Sequence, residues 1–466
     1  MREILNYNFN QADLLKSGFD FKTLYGQVRR DAIFAYVFEK DEKIYALRDH
    51  LGVIPLYYKK GADGYRFSVN LSELADSSDE IDEAGLKFFL KLKTAKIKPL
   101  YKNIGLVPPG TVLEIDRLSG EIKSLFCYRI IPQKISPWQS LNKLTLKLEQ
   151  LFLQALKRQL KHKTVGLYLS GGIDSGLIGI YLKKLGVEIN AYTSAPWGYK
   201  SAEIGPAKLN AQIIKPARQT IDCLETSDYQ AGFLSLPQYY KNPNGQLTSL
   251  ALVHLWENSK IAEEQQIFFG QNCDIIGTAM DNRFIRHFGY FLPRRLRKKL
   301  NLDFDKMLNK FLLSFTEENL IVPDYFKNFD SGLYNNWQLL TLAGLYLSRT
   351  PGDGEMLAQP ILSRNIIMGN PYYDLDLIEF ALGVPLPFRL NFNSRTFISV
   401  GKKIFKRLAM KHLPQELVNR KKGFNLPLKK VEEEFTGQLP EKLFNLPLND
   451  LRERFAGAIL KQWLKR

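Results

Sequence analysis

Six residues concentrate chemical groups in this sequence: Ser170-Gly171-Gly172-Ile173-Asp174-Ser175. Two glycines let a backbone approach an anion closely. If a helix follows, its first N–H groups and the positive end of its dipole bind phosphate. Ser170 and Ser175 add hydroxyl donors. Asp174 is an anion among anions, which makes sense where it holds a divalent metal bridging to phosphates. The same string also reads as a glycine-rich turn with a serine or aspartate helix cap. The string alone leaves both readings open. A strand before it and a helix after it would favour phosphate binding.

The flanks supply that context. Residues 164–169 are a short apolar run that predicts a strand, 176–185 read as a helix, and 187–193 as a second strand. This βαβ pattern implies a parallel sheet with sites at the C-terminal ends of its strands. Thr193 closes the second strand, a position near a nucleotide base; Tyr192 and Glu203 are secondary candidates. Leu144, Leu148, Leu151, Phe152, Ala155 and Leu156 recur at helical spacing before the first strand. Residues up to about Pro132 look β-rich. Residues 32–38 and 43–47 read as strands, 56–58 and 65–69 flank a polar turn at Gly61–Gly64, and 112–115 form another strand. That is the pattern of an α+β sandwich. A loose segment near 131–137 follows, and beyond about Asn335 the chain reads as mostly helical.

With 466 residues, two domains are expected. The 45% hydrophobic and 24% charged composition fits a globular protein, and no apolar run reaches the length of a membrane span. Cys127, Cys223 and Cys273 lie far apart, which indicates neither a disulfide framework nor a zinc site and suits a reducing cytoplasm. The five histidines show no ligand spacing. The net charge of +17 is compatible with nucleic acid, an anionic membrane surface, or an acidic peptide or polyphosphate partner. Part of it is local, in Arg294–Lys299 and Lys402–Lys422, where a solvated helix face is the simplest reading.

Ser-Gly-Gly-x-Asp-Ser after a strand resembles the pyrophosphate loop of the ATP pyrophosphatase superfamily. Arg48-Asp49-His50-Leu51-Gly52-Val53-Ile54-Pro55-Leu56-Tyr57-Tyr58 resembles a segment of the glutaminase domain of asparagine synthetases. Phe67–Leu74 and Leu106–Thr111 resemble later segments, in order. Asn370–Ala381 is similar to the family's Pro-Phe-Leu-Asp helix start, and Lys402–Arg420 to its late basic helix. The resemblance implies a glutaminase-like N-terminal-nucleophile sandwich at 1–132. It implies an adenine-nucleotide α-hydrolase-like parallel-sheet synthetase domain, with a helical C-terminal part, at 138–466. It also implies ATP and Mg2+. Ser170, Gly171, Gly172, Asp174, Ser175, Thr193 and Gly270 would contact the nucleotide, and Asp174 and Asp274 would hold the metal.

Two departures shape the expectation. The family's glutaminases begin with cysteine after the initiator methionine, whereas Arg2 stands here and no cysteine precedes Cys127. The match begins only near Asn10–Lys22. Glutamine hydrolysis is therefore expected to be lost, with a truncated domain left as structure or docking surface. The second motif, Phe268–Gly277, keeps Asp274 but has Gln271 and Ile275 where the family has glutamates. This form resembles the β-lactam synthetase branch and puts simple aspartate-plus-ammonia chemistry in doubt. In Arg420-Lys421-Lys422-Gly423, Lys422 fits the family's Arg-x-Lys spacing for the cation that meets developing negative charge, and Lys421 is the alternative.

The expected activity is ATP-dependent amide-bond formation through an acyl-adenylate, as in lasso-peptide cyclases and β-lactam synthetases. The carboxylate substrate would be acidic or peptide-bound, and its amine carried on the substrate or delivered by a partner protein. An ammonia-dependent asparagine synthetase, a tRNA-modifying adenylating enzyme and a nucleotide-binding scaffold without chemistry are the alternatives.

Overall fold

The structure, a computed structural model, describes residues 11–31, 33–199, 201–278, 333–389, 402–419, 428–435 and 437–465. The chain forms two compact units, neither continuous in sequence. One combines Met1–Leu141, Asp274–Pro351 and Tyr373–Lys403; the other combines Asn142–Cys273, Gly352–Tyr372 and Ile404–Arg466.

The first unit is β-rich. Its strands are β1 (Ala35–Lys40), β2 (Lys43–Arg48), β3 (Tyr57–Gly61), β4 (Gly64–Ser68), β5 (Ile104–Leu106), β6 (Thr111–Asp116) and β7 (Ile122–Cys127). They make two antiparallel sheets, ordered β1-β2-β6-β7 and β4-β3-β5. Asp41 and Glu42 join β1 to β2 with φ of 50° and 58°, the left-handed pair that matches strand twist in a two-residue hairpin. Tyr25, Phe34, Tyr36, Phe38, Leu47 and Val112 form its core.

The Arg48-Asp49 pair organises its own loop. Arg48 is buried and donates to the carbonyls of Gly52, Ile54 and Val107, each at 2.7 Å. Asp49 accepts from the backbone N–H groups of Phe34, Leu51, Val53 and Ile54. Burial raises its carboxyl to about 6 despite those donors.

A helix from the C-terminal half belongs to this unit. Asp374 caps Leu375–Gly383 by accepting from the N–H groups of Asp376 and Leu377. Arg30 clamps its first turns, reaching Asp376 at 2.6 Å and Glu379 at 2.5 Å. Tyr128 donates to the other Glu379 oxygen at 3.0 Å. Three charged groups at low exposure are thus mutually satisfied, and removing the cation strands both carboxylates.

The second unit carries the expected βαβ pattern. Strands β8 (Thr164–Tyr168), β9 (Glu188–Tyr199), β10 (Arg218–Cys223), β11 (Gln266–Phe268) and β12 (Ile367–Gly369) form a parallel sheet ordered β10-β9-β8-β11-β12. The Ile173–Lys184 helix starts three residues earlier than its apolar pattern suggests, and every residue from Ser175 to Leu182 is buried. β9 also runs on past Thr193, because β10 continues to pair with it up to Ala195. Described elements of the C-terminal region are mainly helical, among them Lys403–Ala409, Gln415–Asn419 and Leu451–Leu464. Among the described residues, no helix is long and apolar enough to cross a membrane.

Beyond β10, His254 lies between two carboxylates. Its Nδ1 is 2.7 Å from Asp222 and its Nε2 is 3.5 Å from Asp228. The hydrogen bond to Asp222 raises its pKa above 6.5 against the opposing effect of burial, with the charges of Asp222, Asp228 and Glu257 adding to the rise.

Two stability predictions follow from these networks. Arg30→Ala should lose about 3 kcal/mol in urea unfolding, because two mostly buried carboxylates lose their cation. A raised folded pKa makes protonated His254 stabilising below pH 6.5, and this increment is lost as pH rises through the raised value. The difference in urea midpoint between the protein and His254→Gln should therefore shrink as pH increases above 6.5.

Candidate active site

The strand order contains a reversal. From β8, the chain adds β9 and β10 on one side and later returns to place β11 and β12 on the other. In an open parallel sheet, ligands bind outside the C-terminal ends of the strands where the order reverses. Here those ends are Leu169-Ser170 after β8 and Phe269-Gly270 after β11.

The loop after β8 leads into the Ile173–Lys184 helix. Its N-cap is Gly172, in extended conformation (φ −88°, ψ 161°), and no side chain caps it. The reading of Ser170 or Asp174 as a plain helix cap is thereby set aside. Ser170 Oγ instead accepts from the Gly172 N–H at 3.1 Å and lies 3.0 Å from Ser175 Oγ. The Ser170 N–H donates to Ser175 Oγ at 3.0 Å. The two serines thus close the loop on itself. The 12-residue helix thus starts without a side-chain cap, the arrangement in which the first backbone N–H groups can receive an anion.

The loop's carbonyls are held from behind by three elements. Thr193, on β9, donates its hydroxyl to the Leu169 carbonyl at 2.6 Å. Asn210, on the Ile204–Ile214 helix, donates to the carbonyls of Ser170 at 2.8 Å and Gly172 at 3.2 Å. Tyr372, following β12, donates to the Asp174 carbonyl at 2.9 Å. Glu203 stands on the amide side, with Oε2 3.4 Å from the Gly171 nitrogen.

Gly270 explains itself by contact. A Cβ there would lie 2.9 Å from the Ser175 nitrogen and 3.0 Å from the Asp174 carbonyl carbon. Only glycine lets the strand end after β11 lie against the helix start. Asn370 supports that segment by donating to the Gln271 carbonyl at 3.1 Å, while its own backbone exchanges two hydrogen bonds with the Gln159 side chain.

Ser170, Gly171, Gly172, Asp174, Ser175, Thr193 and Gly270 therefore meet in one unit. Asp274 belongs to the other unit, in the first turn of the Cys273–Thr278 helix. Burial works to raise its carboxyl, but Arg349 at 3.4 Å, Lys402 and backbone N–H groups outweigh this and hold it below the ordinary value. Lys421 and Lys422 lie outside the described residues. So do Arg294–Lys299 of the basic clusters.

No group of three or more His, Cys, Asp or Glu side chains able to hold a metal occurs among the described residues. The donor set at the loop nevertheless suits Mg2+. It is all oxygen and includes one carboxylate, and Mg2+ commonly takes one or two carboxylates with substrate phosphates filling the rest.

Sequence reasoning did not find Asn210 or Tyr372. For Asn210 a signal existed. Ala207, Ala211 and Ile214 form the buried stripe of their helix, and Asn210 falls on that stripe. A polar residue on an apolar face needs a partner. Tyr372 offered no such signal, because its partner is 198 positions away.

Comparison with known proteins agrees with this architecture. Residues 27–126 match the glutamine amidotransferase domain model, and residues 147–242 and 369–466 match the asparagine synthase model. The chain is similar to asparagine synthetase [glutamine-hydrolyzing] 1 of Bacillus subtilis (strain 168), at 21% identity covering 92% of this chain and 75% of that protein. A β-rich N-terminal domain followed by an α/β domain with a helical tail matches the asparagine-synthetase-like superfamily at low identity. The similarity supports ATP-dependent amide-bond chemistry of the ligase type in general. Residues 243–368, which contain Gly270 and Asp274, fall between the two segments matched by the synthase model.

Gly270→Ala should displace the helix start rather than unfold the unit. ATP binding measured by calorimetry should weaken by about tenfold or more. Urea unfolding should show a loss of about 1–3 kcal/mol from overpacking.

Proposed function

We propose that this chain is an AMP-forming carbon–nitrogen ligase. A substrate carboxylate attacks the α-phosphorus of ATP, pyrophosphate leaves, and an amine then attacks the acyl-adenylate to give an amide and AMP. The observation that carries this reading is the start of the Ile173–Lys184 helix, which no side chain caps, at the point where the strand order reverses.

Each residue has a role in that reaction. Backbone N–H groups at the start of the helix bind the phosphates, and Ser170 and Ser175 add hydroxyl donors once they release each other. Asp174 would hold Mg2+, and the resemblance assigns Asp274 as the second carboxylate. The metal, when bound, neutralises charge on the departing pyrophosphate. Lys422, with Lys421 beside it, is the cation for the charge developing on the acyl-adenylate. Thr193, Gly270 and Tyr372 keep the loop in place. Residues 1–132 and 138–466 are read as the amidotransferase-like and synthetase domains.

The amine is proposed to arrive on the substrate or from a partner, not from glutamine hydrolysed by this chain. The surroundings of two of its cysteines support this. Cys273 is buried, and burial with Asp222 and Glu225 pushes the Cys223 thiol up, away from the nucleophilic thiolate.

The test is ATP–pyrophosphate exchange across a panel of carboxylates and acidic peptides, with ammonium, glutamine or a substrate-borne amine supplied in separate arms. Exchange should depend on a carboxylate, and amide should form without glutamine. Asp174→Asn should lower exchange about 100-fold or more, the scale of losing a group that stabilises transition-state charge. Bound ATP with no exchange across the panel would refute the ligase reading. Amide formation with glutamine alone would refute only the proposed nitrogen source.

A further inference from the structure

We propose that Asn210 is the positioning residue of the phosphate loop, turning the N–H groups of Gly171 and Ile173 toward the phosphates of ATP. The inference rests on residues 170–175 being the ATP site.

Asn210 is fully buried, and its Nδ2 donates to the carbonyls of both Ser170 and Gly172. In a planar trans peptide, the C=O and the N–H point in opposite directions. Drawing the Ser170 carbonyl toward Asn210 therefore turns the Gly171 N–H away from it. The Gly172 carbonyl accepts from Asn210 at 3.2 Å and from the Gly176 N–H of its own helix at 3.3 Å, and the two together turn the Ile173 N–H outward at the helix start that no side chain caps. A carboxamide suits the task because one nitrogen carries two donors and no charge. Serine offers one donor, and aspartate would set acceptors against acceptors.

Two further observations agree. The Gly171 N–H, turned away from Asn210, donates to Glu203 Oε2 at 3.4 Å, so the peptide already faces an anionic oxygen, and a phosphate has to displace that carboxylate to take the donor. The helix also makes room for the carboxamide. A Cβ on Gly176 would lie 3.0 Å from Asn210 Oδ1, and glycine is otherwise a poor helix residue. Among the described residues no donor reaches Asn210 Oδ1. The described hydrogen bonds of this side chain thus run through the nitrogen, to the loop.

The test uses the full chain and the variants Asn210→Asp, Asn210→Ala and Gly176→Ala, each titrated calorimetrically with Mg-ATP, inorganic pyrophosphate and AMP. Thermal unfolding is followed in parallel. Losing the two donors should weaken ATP and pyrophosphate by about tenfold or more, since each hydrogen bond contributes about a factor of five to ten. AMP, which lacks the β- and γ-phosphates, should bind as before. Gly176→Ala should show the same pattern more weakly, by pushing the carboxamide out of place. Unchanged pyrophosphate binding in folded Asn210 variants would overturn the proposal. So would an equal loss for AMP, or unfolding of all three variants, since either would make the role purely structural. A wild-type chain that binds neither ATP nor pyrophosphate would instead overturn the ATP-site reading itself.

Discussion

A peptide unit cannot offer its N–H to a ligand without sending its carbonyl the other way, and a buried carbonyl needs a donor. The loop after β8 is built around this constraint. Leu169, Ser170, Gly172 and Asp174 present carbonyls to Thr193, Asn210 and Tyr372. The three donors come from three different parts of the chain. Each is a neutral side chain, so the backs of these peptides are satisfied without a charge on that side of the loop.

The same logic explains why the surrounding strands lie where they do. β9 supplies Thr193 beside the end of β8, and the residues after β12 supply Tyr372. Gly270, after β11, lies against the helix start where any side chain would collide. The sheet thus fixes the strand ends on both sides of its reversal point. Buried polar groups pair around it, as with Gln159 and Asn370, and this gives the loop a rigid base.

The β-rich unit shows a different economy. Its arginine-aspartate motif is spent on its own loop, with Arg48 and Asp49 each engaged by several backbone groups. Arg30 and Tyr128 bind the Leu375–Gly383 helix through Asp376 and Glu379. That helix lies within the segment matched by the asparagine synthase model, whereas Arg30 and the strands lie in or beside the segment matched by the amidotransferase model. The two family segments are thus joined by part-buried ion pairs inside one compact unit.

Much of this was legible in the sequence because it is local. The β1–β2 and β3–β4 hairpins, the strand at 164–168 and the helix after Gly172 are set by short-range periodicity and turn residues. The six-residue loop is contiguous, so its donors and its carboxylate could be read directly. The helix starts three residues before its apolar pattern, because that pattern begins later than the backbone hydrogen bonds do. The sequence pattern ends β9 at Thr193, since it does not show that β10 extends the pairing to Ala195. The order β10-β9-β8-β11-β12 was beyond reach, since it depends on which strands pair across long separations. Asn210 left a trace as a polar residue on an apolar stripe, but its partners could not be named. The sequence by itself determined which groups could bind a phosphate. Only the tertiary structure decided how those groups are held, because a peptide's direction is set by whatever holds its carbonyl, and beside the local donors Gly176 and Ser175 the loop takes donors from Thr193, Asn210 and Tyr372, in distant parts of the chain.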